Sequence, residues 1–191
     1  GLDIAKSVFH IHGVDAEGKV VIRRQLKRRY VLAFFQKLPP CLIGIEACAS
    51  SHHWSRELQA LGHTVRLMPP AYVKPYVKRQ KNDATDAEAI CEAVTRANMR
   101  FVVTKTPEQQ SGLVLHRTRH LFVRQQTSVI NAIRAHLAEF GIVAPVGRKG
   151  VEELLHVVAD PADSRVPAMA RACLAALGAQ LRNLKEQILE A

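Results

Sequence analysis

The chain has 191 residues, enough for one full domain and part of a second, and its 48% hydrophobic and 23% charged residues are typical of a globular protein. Its net charge of +10 favours an anionic partner, nucleic acid first. No stretch has the length of apolar sequence that a membrane-spanning helix needs, and none has the pattern of a signal peptide, so we expect a cytoplasmic protein with no membrane partner.

The charge is unevenly distributed along the chain. Residues 1–149 carry 23 Lys and Arg against 11 Asp and Glu, whereas residues 151–191 carry 4 against 6. The basic surface therefore belongs to the first three-quarters of the sequence. The four cysteines have no CxxC spacing, and we predict that they are buried, reduced thiols rather than zinc ligands: Cys41, Cys48, Cys91 and Cys173.

The first hundred residues alternate strand and helix signals. Runs rich in β-branched and aromatic residues predict strands at 2–5, 8–14 and 19–26. A short helix at 30–37 precedes a strand at 41–46, whose nearly continuous apolar run is typical of a buried central strand.

The same alternation continues to residue 103. The predicted elements are a helix capped by Ser50 or Ser51, a strand at 64–68, a loop with two tyrosines, a helix at 83–97 and a short strand at 101–103. The order β-β-β-α-β-α-β-α predicts an α/β fold, a ribonuclease-H-like mixed sheet with an antiparallel edge and flanking helices.

From Pro107 onward the pattern is helical. A long amphipathic helix is predicted from 107 to 140, with apolar residues such as Leu115, Ile133 and Leu137 on one face, followed by a loop at 145–150 and helices at 151–159 and 166–190. The leucine stripe of the last helix needs a partner surface. We expect a segment of 1–103, a basic helix of 104–145 and a helical, coiled-coil extension of 146–191.

Four carboxylates stand out. Asp83 and Asp86 share one face at the start of a predicted helix, where they fit either helix capping or a metal site. Asp3 lies within the first strand and Glu46 ends the buried one; each by itself could be an edge acid or a cap. In a ribonuclease-H-like sheet all four would converge, and their hard oxygens suit Mg²⁺ or Mn²⁺ in phosphodiester cleavage.

Basic residues cluster near these acids. Four of them lead into the predicted helix and are our candidates for phosphate contacts: Lys74, Lys78, Arg79 and Lys81. The interleaved Tyr72 and Tyr76 either stack on bases or pack the loop. A second cluster spans residues 23–29, and a third lies along the long helix at Arg117, Arg124 and Arg134.

Several stretches resemble one family throughout the chain. They are GLDIAKSVFHIHGVD (1–15), GIEAC (44–48), VRLMPPAYVKPYVKRQKNDATDAEAI (65–90) and the region from KTPEQQ to AEFGI (105–142). The chain resembles the DEDD-type transposases of bacterial insertion sequences, recombinases guided by a structured bridge RNA. The D…E…D-x-x-D set of that family falls on Asp3, Glu46, Asp83 and Asp86. Lys6 matches the D-x-x-K of the family, and it either contacts a phosphate or is a solvated lysine at the strand end.

The resemblance implies a RuvC-like domain whose four acids bind Mg²⁺ (or Mn²⁺) to cut and rejoin DNA. It also implies a structured guide RNA as partner, a homo-oligomer assembled through the helical region, and a further C-terminal domain that supplies a serine nucleophile. We expect the chain to stop before that domain, and none of its own serines is assigned the role.

Two other functions remain open. The first is a non-catalytic module that binds nucleic acid and oligomerises, with structural acids. The second is a phosphotransferase of the actin-like ATPase type, which is less favoured because the glycine-rich phosphate loops are missing from the sequence.

Overall fold

The computed structural model describes residues 1–77 and 83–190, and it describes only the backbone of Asp83 and Ala84. The predicted contacts Lys78, Arg79 and Lys81 therefore lie outside the described residues. The chain divides into two compact units, Gly1–Thr106 and Pro107–Ala191. The division into segments 1–103, 104–145 and 146–191 stays a prediction.

The first unit is a five-stranded sheet with helices on both faces. Its elements are β1 (Leu2–Asp3), β2 (Val8–Val14), β3 (Val20–Lys27), α1 (Val31–Phe35), β4 (Leu42–Glu46), α2 (Ser51–Ala60), β5 (Thr64–Met68), α3 (Pro70–Val73) and α4 (Asp83–Ala93). The strand order is β3-β2-β1-β4-β5. β1 pairs antiparallel with β2 and parallel with β4, which in turn pairs parallel with β5. The predicted ribonuclease-H-like architecture is confirmed.

Each face of the sheet has its own apolar cluster. On one face, Leu2 and Ile45 are fully buried in a cluster with Trp54 and Leu58 of α2. On the other, Ile90 of α4 packs in a cluster with Met68 of β5. The apolar run of β4 is explained because this interior strand is covered on both faces.

Several predicted boundaries of the first unit were wrong. β1 ends at Asp3, and α4 ends at Ala93 rather than at residue 97. The predicted strand at 101–103 is reduced to one antiparallel bridge between Leu67 and Val102. The expected tyrosine loop is helical, as α3 and a 3₁₀ turn at Lys74–Tyr76. The physical reason is that a proline stands in the first turn of each, where its missing N–H costs nothing.

The predicted serine cap of α2 was also wrong. Ser50 occupies the cap position without a side-chain cap bond. The Ser51 hydroxyl instead accepts from the Cys48 N–H at 3.2 Å and donates to the Cys48 carbonyl at 2.9 Å. A local turn with Cys48 has therefore taken the hydroxyl that the helix start would have used.

The second unit is built from three helices, α5 (Pro107–Ala138), α6 (Arg148–Ala159) and α7 (Ala168–Glu190). Its core joins Ile133 and Leu137 of α5 to Leu154 of α6 and to Leu174 and Leu181 of α7. No helix among the described residues is long and apolar enough to cross a membrane.

The turn between α6 and α7 is held by polar contacts. Arg171 donates to the carbonyl groups of Val157 and Val158 at 2.8 and 2.9 Å. The Asp163 carboxylate accepts from Arg165, and this hydrogen bond lowers the pKa of Asp163 to about 2. The carboxylate therefore stays ionised well below the pH at which an ordinary aspartate takes up a proton.

The cysteine prediction was right for Cys91 and wrong for the other three. Cys91 is a buried residue of α4, whereas Cys41, Cys48 and Cys173 are exposed. Cys41 and Cys48 flank β4 just outside its buried run, and Cys173 lies on an outer face of α7. All four thiols are free.

Candidate nucleic-acid and metal site

Two of the four predicted acids end neighbouring parallel strands. Leu2 of β1 pairs with Ile45 of β4, so the next residues, Asp3 and Glu46, follow side by side. Because successive side chains of a strand point to opposite faces, both acids belong to the face opposite buried Leu2 and Ile45. Both are half-buried. The acids thus share one end and one face of the sheet.

Helix α4 covers the same face. A Cβ at Gly44 would lie 2.7 Å from the Val94 Cβ, directly after the C-terminal end of α4. Ile90, one turn earlier, clusters with Met68, the strand partner of Glu46. The helix therefore runs antiparallel to β4, and its N-terminal turn lies toward the end of the sheet that carries Asp3 and Glu46.

The aspartates of α4 belong to that turn. Asp86 is half-buried and stands one turn before fully buried Ile90. Asp83 is the first residue of the helix, and its side chain lies outside the described part of the chain. The metal-ligand and capping interpretations of Asp83 both stay predictions.

The donor set suits a hard divalent cation, because carboxylate oxygens are the ligands that Mg²⁺ and Mn²⁺ prefer. Among the described side chains, however, no group of three or more His, Cys, Asp and Glu lies close enough to hold a metal ion. Asp3 and Glu46 each interact with other groups. A four-carboxylate centre stays a prediction that needs the side chain of Asp83.

Two histidines lie beside the acids and were not among the predicted site residues. His10 of β2 is the direct cross-strand partner of Asp3, and Gln25 of β3 is the partner of His10. His12, two residues along β2, is buried. The alternation of β2 indicated that His10 and His12 share a face. The pairing with Asp3 depended on strand register, which local sequence does not contain.

The predicted basic contacts that the structure describes are on the surface. Lys6 and Lys74 are exposed in the first unit, and Arg117 and Arg124 are exposed on α5. Their accessibility is compatible with phosphate binding, which stays a prediction. Arg134 differs, because its guanidinium donates to the carbonyl groups of Ala144 and Pro145 at 3.0 and 2.8 Å.

The tyrosines and the second basic cluster contain packing residues as well. Tyr76 packs against the α4 cluster, and Arg96 lies over its ring at 5.8 Å, which favours the packing role. Tyr72 is exposed. Arg28 of the second cluster lies 5.1 Å from the Trp54 ring, so it covers the apolar core.

Three side chains of this unit that could take part in nucleophilic chemistry are Cys41, Ser55 and His52. Cys41 is exposed as a residue, but partial desolvation of its sulfur raises the pKa of the thiol, which disfavours the thiolate. The buried Ser55 hydroxyl is hydrogen-bonded to the Thr104 hydroxyl at 2.7 Å, and the His52 Nδ1 accepts from the Lys105 N–H. Ser55 and His52 therefore hold the segment after the bridge at Val102 against α2.

The part of the chain that contains these residues matches a known protein family. A family model for DEDD transposases of the IS110 group, described as "Transposase", matches residues 1–142. A "Probable family 20 transposase" of Pseudomonas aeruginosa is 50% identical over 98% of this chain and 54% of its own length. The transposase for insertion sequence element IS1328 of Yersinia enterocolitica is 38% identical over 100% of this chain and 56% of its own.

A third relative is also about twice as long as the part that this chain matches. The transposase for insertion sequence element IS1111A of Coxiella burnetii is 41% identical over 98% of this chain and 52% of its own. The chain thus spans about half the length of the curated relatives it matches.

Proposed function

Because this chain belongs to the DEDD transposases of insertion sequences, we propose that it forms the acid-bearing, RuvC-like part of a recombinase that cuts and rejoins DNA. The proposed metal ligands are Asp3, Glu46, Asp83 and Asp86. The proposed partners are DNA, a structured guide RNA and further copies of the chain. The chain spans about half the length of its relatives, so we propose for it only the step of DNA cleavage and rejoining that uses the four acids.

The strand register carries the proposal. The pairing of Leu2 with Ile45 makes Asp3 and Glu46 neighbours, and α4 brings its first turn toward the same end of the sheet. Three elements that are distant in sequence would thus contribute carboxylates to one region. Carboxylates brought close together repel one another, so a shared divalent cation would stabilise such a set.

The residues of the chain would have separate tasks in this step. Mg²⁺, when bound, would supply Lewis-acid stabilisation of phosphodiester oxygens. The strand ends of β1 and β4 hold Asp3 and Glu46 in fixed positions, which suits ligands better than loops would. The exposed Lys6 and Lys74 would bind backbone phosphates of the DNA and orient it without reading bases.

Metal titration tests the site. We expect Glu46→Gln and Asp83→Asn to weaken Mn²⁺ binding at least about tenfold, since each removes one proposed ligand. Glu92→Gln is the matched control, because Glu92 is an exposed acid of the same helix paired with Arg96. Mn²⁺ affinity can be measured by calorimetry or by electron paramagnetic resonance. Unchanged Mn²⁺ binding in both ligand variants would rule out the four-acid site.

One observation favours the alternative of a non-catalytic nucleic-acid-binding and oligomerising module. Asp3 and Glu46 each already interact with other groups of the chain, as structural acids would. On this alternative the chain binds nucleic acid equally well with and without Mn²⁺, and the ligand variants behave like Glu92→Gln. The same titration therefore separates the two functions.

A further inference from the structure

A groove lies beside the acids, on the α4 face of the sheet. It encloses about 460 Å³, and among the described residues its walls include His10 and His12 of β2, Arg23 and Gln25 of β3, and Thr85 and Glu88 of α4. Nothing in the proposed metal site uses these side chains. The groove exists because α4 packs on β2, β1 and β4, so that β3 extends beyond the helix.

The register connects this groove to the proposed site. His10 pairs with Gln25 on one side and with Asp3 on the other, and His12 pairs with Arg23. Paired residues of neighbouring strands point to the same face. Adjacent strands are about 4.8 Å apart, so Gln25 is about 10 Å across the sheet from Asp3. A continuous polar row therefore leads from the edge strand to the acids.

The chemistry of the row suits a phosphodiester. Arg23 and Gln25 are exposed on β3. A guanidinium donates two parallel hydrogen bonds to phosphate oxygens, and an amide N–H adds a neutral donor. The groove volume is in the range of sites for one small organic ligand, which fits one or two nucleotides of a single strand.

We propose that this groove binds the backbone of a single nucleic-acid strand and leads it to the carboxylates, with Arg23 and Gln25 as the phosphate-binding residues. This inference rests on the proposed function, since it deepens the role of the same face. Glu88 on the opposite wall interacts with other groups of the chain, and its negative charge still disfavours phosphates in the groove.

The test uses the whole chain and a labelled single-stranded DNA or RNA of one sequence, in chelator so that no metal is needed. We expect Arg23→Gln to weaken binding about 3- to 10-fold and to reduce the salt slope by about 0.7, the value for one phosphate contact on a single strand. Arg66→Gln is the matched control: it removes the same charge from an exposed arginine of β5, the opposite edge strand of the sheet, where Arg66 stacks on Phe101. Its effect is expected to stay within about twofold.

A second pair of variants removes a negative charge, so the expected change in nucleic-acid affinity has the opposite sign. Glu88→Gln is expected to strengthen binding, whereas Glu92→Gln, one turn further along α4, leaves it within about twofold. Equal effects of Arg23→Gln and Arg66→Gln, or a contrast seen only with duplex DNA, would overturn the proposed role of the groove. Mn²⁺ titration of Arg23→Gln is expected to match the unmodified chain. If the acid variants retain metal while the arginine contrast holds, the metal site fails and the groove stands.

Discussion

Gly44 determines how closely α4 can approach the sheet. A methyl group there would meet the Val94 Cβ at 2.7 Å and the Met68 Cε at 3.1 Å. The Val94 Cβ belongs to the root of its side chain, so the backbone after α4 would have to move. We expect Gly44→Ala to destabilise the chain by about 1–3 kcal/mol, the usual cost of overpacking, measured by denaturant unfolding.

The same glycine-to-alanine substitution at Gly112 is expected to raise stability instead of lowering it. It lies within α5, and a Cβ there would have no heavy atom within 4 Å. Alanine removes backbone freedom from the unfolded chain, so Gly112→Ala should stabilise α5 by about 0.5–1 kcal/mol. A Gly44→Ala chain as stable as the unmodified one would contradict the close packing of α4.

At the scale of elements, α5 has two different parts. Its later turns bury Ile133 and Leu137 in the core of the second unit, whereas Leu115 is 49% exposed near its start. The predicted apolar face of the helix is therefore covered only in its later turns. The polar stripe divides in the same way, since Arg124 is exposed and Arg134 holds the carbonyl groups of the following loop.

This division leads to a paired prediction for the two arginines. Arg134→Ala should lower the free energy of unfolding by about 1–3 kcal/mol, because charged donors to several carbonyl groups are lost. Arg124→Ala should change stability by less than about 0.5 kcal/mol. On duplex DNA, Arg124→Ala should reduce the salt slope by about 0.9, the value for one phosphate, while Arg134→Ala leaves it unchanged. A reduced slope in Arg134→Ala would contradict its structural role.

At the scale of the whole molecule, each unit has its own core. Leu58 is fully buried in the first and Leu181 in the second. The single tryptophan, Trp54, lies in the first core, so its fluorescence reports that unit alone. Leu181→Ala should destabilise the second unit by about 2–5 kcal/mol and shift the helical circular-dichroism transition. The midpoint of Trp54 fluorescence should not move.

Leu58→Ala is the reciprocal variant and should shift the fluorescence midpoint instead. Parallel shifts of both signals in either variant would show that the units unfold together. Charge differs between the units too. Residues 1–106 carry 17 Lys and Arg against 9 Asp and Glu, and residues 107–191 carry 10 against 8. The first unit is therefore expected to dominate nucleic-acid binding.

The sequence by itself determined the order of the five strands, the interior position of β4 and the family. Apolar periodicity and chain punctuation are local properties, so the run from Cys41 to Glu46 and the helix start at Pro107 could be recognised without a structure. The four acids could be named from their motif, and their role as ligands stays a prediction.

Only the tertiary structure decided which residues are neighbours. Three contacts could not be predicted from local sequence patterns. They are the pairing of His10 with Asp3, the close approach of Gly44 to the end of α4, and the hydrogen bonds from Arg134 to carbonyl groups. The reason is that sequence periodicity reports conformation and face, whereas register and close approach follow from packing of the whole unit.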